Sequence, residues 1–131
     1  MTIEEIRTRI EAVEESYEFF LAFAAQGVRD DRSSPSGGQL RDRLDRMADA
    51  LRGLAGGVSR LVEAGGLGPE GPARRMVEVL GRDAESALAA VELVAAREAV
   101  GSQLVDNLNA SIHVRALLTD LFLLDELLGT S

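Results

Sequence analysis

Apolar residues recur at steps of three and four along most of the chain, the spacing of one buried face on an α-helix. The first series is Ile3, Ile6, Ile10, Val13, Tyr17, Phe20 and Ala24. Thr2 and Glu5 stand three apart just before it, the pattern of a capping box, and Gly27 suits a left-handed C-terminal cap. The second series is Leu40, Leu44, Met47, Leu51, Leu54, Val58 and Leu61, with Gly53, Gly56 and Gly57 inside it. A glycine within a helix costs about 1 kcal/mol relative to alanine, so the helix must bend there or admit a close neighbour. Ala73, Val77, Leu80, Ala84, Leu88, Val91 and Ala95 form the third series, and Pro72 suits its first turn. A fourth series runs from Ser102 to Leu128.

These four stretches, at about 2–27, 38–64, 71–100 and 102–128, predict a single all-α domain, an up-down antiparallel four-helix bundle. The segment "VRDDRSSPSGG" at about 28–37 reads as a mobile loop, and "AGGLGPEGP" as a second break. Gly101 and Ser102 form a cap-and-restart between the third and fourth helices. A turn nearer Asn109 is the alternative, and would lengthen the third helix by about two turns.

Within this frame, the stretch "EESYEFFLAFAAQG" holds four of the chain's five aromatic residues. Tyr17 and Phe20 lie on the seam of the first helix. Phe19 lies about 140° away, and Phe23 near the border, by the ~100° step of a helix. The fourth helix carries a larger excess. Leu117, Leu121, Leu124 and Leu128 make one apolar stripe, and Ala116, Leu123 and Leu127 make another on a different side. One stripe fills a monomer's core; a second, left exposed, marks an interaction surface. Phe19, Phe23, Ala116, Leu123 and Leu127 are therefore candidate interface residues, and a homodimer is the expected assembly, with a different protein as another possible occupant.

Composition narrows the alternatives. The formal net charge is −8, so phosphate backbones and anionic lipid are disfavoured partners. No apolar run reaches the roughly 18 residues of a membrane span, and no basic leader precedes an apolar segment, so a cytoplasmic protein is expected. There is no cysteine, which removes disulfides, thiolate metal sites and thiol nucleophiles. All fourteen basic residues are arginine, a pattern that codon bias alone can produce.

Candidate chemistry is sparse. His113 is the only histidine. In an antiparallel bundle it falls level with Tyr17, Asn109 with Phe20, and Asp106 with Phe23. Glu98 lies near the same end on the third helix. Tyr17, Phe20, Glu98, Asp106, Asn109 and His113 thus form a candidate ligand site at one bundle end, although wet bundle ends carry polar residues without any function. A di-iron site needs two Glu-x-x-His pairs, which one histidine cannot supply. Ser111 and His113 are two apart and point away from each other on a helix. No nucleophile elbow, phosphate loop or dinucleotide fingerprint is present. No cofactor or metal is expected, and the function read from the sequence is non-enzymatic protein–protein interaction as an adaptor or modulator. Ligand sensing or carrying at the bundle end is the alternative.

Overall fold

A computed structural model of the chain describes residues 1–129, and these residues are all-helical, with no strand among them. The helices are α1 (Ile3–Ala25), α2 (Gly37–Leu51), α3 (Leu54–Glu63), α4 (Glu70–Ala95), α5 (Ser102–Ala110) and α6 (Ile112–Gly129), with a 3-10 turn at Asp31–Ser33. α1 packs against α2, α3, α5 and α6, and α4 packs against the same four helices. The core they enclose contains Ile6, Ile10, Val13 and Phe20 of α1, Leu40, Leu44 and Met47 of α2, and Leu117 and Leu121 of α6.

Two of the four expected rods are broken. The stretch expected at 38–64 divides at Arg52 and Gly53, where Gly53 takes φ 78°, a left-handed conformation that glycine adopts without strain. Gly57 serves a different purpose. A Cβ there would lie 2.5 Å from the Met1 sulfur, so its bare backbone makes room for that side chain. The stretch expected at 102–128 divides at Ser111, whose backbone is extended and whose hydroxyl accepts the Val114 N–H, starting α6 afresh. The third stretch ends at Ala95 rather than near Gly101. Residues 96–101 then cross back towards the 26–36 loop, and Val100 is buried between them.

The N-terminal cap forms as the sequence predicts. Glu5 N–H donates to Thr2 Oγ1 at 3.1 Å, and Thr2 N–H donates to Glu5 Oε2 at 3.2 Å. The other helix ends are closed largely by arginines from distant elements. The last carbonyls of a helix lack intrahelical donors. The Arg9 guanidinium donates to the carbonyls of Asp49, Ala50 and Arg52 at 2.9, 3.1 and 2.7 Å, closing the end of α2. Arg41 donates to the carbonyls of Ala95 and Glu98 at 2.9 and 3.0 Å, closing α4. Arg7 donates to the Leu128 carbonyl near the end of α6. A planar cation with five donors suits this work, and it also complements the negative end of each helix.

The 28–37 segment expected to be mobile contains a buried charge. Asp31 accepts from Arg41 Nε at 2.9 Å and from the Val100 N–H at 2.8 Å, joining the loop to α2 and to the 96–101 crossing. Gly37 is required beside it: a Cβ there would fall 1.9 Å from the Asp31 carbonyl oxygen.

Candidate functional site

The polar residues expected to converge at one bundle end are placed apart. Phe20 is fully buried in the core. Glu98 projects from the crossing loop with its side chain 91% exposed, within 3.7 Å of Arg32, and not on a core face. Asp106 and His113 are exposed. Tyr17 and Asn109 do meet, but through the backbone: Asn109 Nδ2 donates to the Tyr17 carbonyl at 3.1 Å. The register therefore differs from the expected one, in which Asn109 lay opposite Phe20. The contacts of Ser102 with the Phe23 carbonyl and the Val28 N–H set that register, because Ser102 and not Asp106 stands level with Phe23. The extended backbone at Ser111 then re-aims the chain that carries His113. Among the described residues, no three His, Cys, Asp or Glu side chains are grouped so as to hold a metal ion.

The apolar candidates divide differently from expectation. Phe23 is core, at 1% exposure, and is removed from the interface set. Its backbone explains the placement. Ser102 Oγ donates to the Phe23 carbonyl at 2.7 Å and accepts the Val28 N–H at 3.0 Å, pinning the end of α1 against the start of α5. Phe19 is half-buried against the same core. Leu123 and Leu127 stay out of the core, each 51% exposed, and Ala116 is half-buried beside them. Ile112, not among the candidates named from the sequence, is 75% exposed.

At ~100° per residue, Ile112, Ala116, Leu123 and Leu127 fall within about 60° of arc. They form one ridge about 22 Å long at ~1.5 Å per residue. Phe122 is also exposed but lies on the other flank of α6.

Beside this ridge runs an apolar groove of about 240 Å³. α4 contributes Ala73, Met76 and Leu80, α3 contributes Val58, and Leu67 closes one end. Leu123, Leu124 and Leu127 form the opposite wall. One polar side chain, Asp120, lines it. Asp120 Oδ2 is buried with no donor. The group beside it is the Asp83 carboxyl of α4. Two carboxylates cannot hydrogen-bond each other, so the pair bonds only by holding a proton. Burial, the hydrogen bond to Asp83 and the charge of Asp83 together push Asp120 from 3.8 up to about 7. With Asp83 beside Asp120, and Leu124 and Leu127 among residues 72–80, α4 and α6 run in opposite directions along the groove.

Sequence reasoning missed this carboxyl pair. Neither Asp120 nor Asp83 is among the candidate residues that the sequence suggests. The detectable signal was an acid on the same side as Leu123 and Leu127. Its neighbour on α4 follows only from how the two helices pack. Against known proteins the chain stands by itself: no family model, curated protein or solved structure matches it.

Proposed function

We propose that this protein works by protein–protein contact through the exposed ridge of α6, and that a second copy of the chain covers that ridge. The supporting observation is the half-exposure of Leu123 and Leu127 next to an apolar groove. Covering a leucine is worth roughly 1.5–3 kcal/mol when complete, so a continuous ridge of such residues favours association. In this reading the six helices act as four rods, α2–α3 and α5–α6 each being one interrupted rod, in an up-down bundle. The homodimer is the unit that serves as adaptor or modulator of a larger protein. A cytoplasmic setting is part of the same proposal, and fractionation of the native cell tests it. The net charge of −8 argues against nucleic acid as a partner.

Light scattering tests the proposal directly. A species clearly above 14.0 kDa is expected at high micromolar concentration. Leu123→Asp and Leu127→Asp are expected to give monomers with unchanged helical circular dichroism. A wild-type monomer, or unfolding by both substitutions, defeats the reading.

Ligand binding at the bundle end has weaker support, because Glu98, Asp106 and His113 are exposed and not enclosed. A thermal-shift screen with metabolites, repeated on His113→Ala, is its test.

A further inference from the structure

The ridge on α6 is self-complementary. We propose that two copies pair α6 against α6, antiparallel, about a two-fold axis level with Thr119 and Asp120, so that Arg115 of each copy meets Glu126 of the other. The inference rests on the homodimer reading above and adds its register and its charge pairing.

Three features of α6 support it. The first is the spacing of the ridge. An antiparallel pairing centred between Thr119 and Asp120 sets Ile112 against Leu127 of the second copy, and Ala116 against Leu123. The small side chain then faces a large one, as interdigitating helices require. Any shifted centre leaves Ile112 or Leu127 without an apolar neighbour.

The second feature is charge. A two-fold axis makes each flank of α6 face the same flank of its copy. Arg115 and Glu126 lie within about 20° of each other around the helix, on one flank. They stand about 7 and 10 Å on either side of the proposed centre at ~1.5 Å per residue, an offset of about 3 Å that their long side chains span. Both are exposed, and neither is in an ion pair among the described residues. Their pairing across the axis is thus available twice per dimer.

The third feature is Asp120. It lies beside the proposed centre on the groove flank, so the axis brings it towards its counterpart, each backed by its own Asp83. Among the described residues no cation offsets this. α3 and the following turn present Val58 and Leu67, and α4 presents Asp83 among apolar groups. From α1, Glu14 faces Asp125 on another side of α6. On α5, Asp106 lines a separate cleft with Leu21 and Arg29. Assembly is therefore favoured with Asp120 protonated, and it weakens once Asp120 ionises.

Sedimentation velocity on the full chain is the experiment. Arg115→Glu and Glu126→Arg are each expected to weaken the dimer at least about tenfold, and the two together to restore it, because the swapped charges pair again. Between about pH 6 and about pH 8.5 the dissociation constant is expected to rise by a similar factor, and Asp120→Asn is expected to remove that rise. Suppose Leu123→Asp dissociates the dimer but the double charge swap does not rescue it. The register proposed here is then wrong, while self-association through the ridge stands. A dimer equally tight at both pH values overturns the central position of Asp120. A wild-type monomer throughout overturns both readings.

Discussion

Two aspartates show how placement alone sets the behaviour of one residue type. Asp31 is buried against Arg41 and the Val100 N–H, and hydrogen bonding to Arg41, the largest influence, holds its carboxyl below the usual range. A lowered folded value contributes stability above the unfolded value and loses it as pH falls. Asp31→Ala leaves a guanidinium and a backbone N–H without their acceptor. The expected loss is about 2–3 kcal/mol, read from urea denaturation at neutral pH. Asp120 has the opposite sign. Its folded value is raised from 3.8 to about 7, so the native state holds the proton more tightly than the unfolded chain. Stability is therefore expected to decline as pH rises from about 4 through about 7, and melting temperatures of Asp120→Asn should lack that decline. Neither environment was legible from the sequence. "VRDDRSSPSGG" has the composition of a loose loop, and composition does not reveal that Arg41 and Val100 reach Asp31. The burial of Ile6, Ile10 and Phe20 was legible, because periodic apolar spacing reports a covered face directly.

At the scale of elements, the sequence showed where helices lie better than where they stop. Thr2 and Glu5 cap α1 locally, and local chemistry can be read along the chain. The breaks at Gly53 and Ser111 interrupt apolar series that continue across them in register, so the spacing gave no warning. The glycines at 53, 56 and 57 did indicate a bend or a close contact, and Gly53 and Gly57 supply one of each. Gly53→Ala is expected to cost about 1 kcal/mol by placing a Cβ in a left-handed residue, with the loss seen in urea midpoints. Helix endings made by distant arginines are the least legible of all. Arg9 lies on α1 and closes α2, so nothing near Asp49 or Arg52 announces it. Arg9→Ala is expected to destabilise by about 1.5–3 kcal/mol, read from urea midpoints, because it removes the Nη1 group that three carbonyls at the end of α2 share.

For the whole molecule, the surplus of apolar surface on the last helix was readable from the sequence in part. Leu123 and Leu127 stood off the core stripe, and they stand off it in the fold. Phe23 was misplaced because the end of α1 is covered by α5, and that packing depends on the Ser102 contacts and not on α1 itself. The expected convergence of polar residues failed for a related reason: Ser102 stands level with Phe23, which moves Asn109 to Tyr17, and the extended residue at Ser111 redirects the part of the rod that follows. One contact also constrains the timing of assembly. Arg7 grips the carbonyl of Leu128, and these two residues are separated by 121 positions along the chain. During vectorial synthesis Arg7 emerges before α2 to α6, so its hold on α6 forms late. A nascent chain still lacking Leu128 has no such clamp on the helix that carries the ridge, which leaves it poorly equipped to pair with its neighbours on the same ribosome queue.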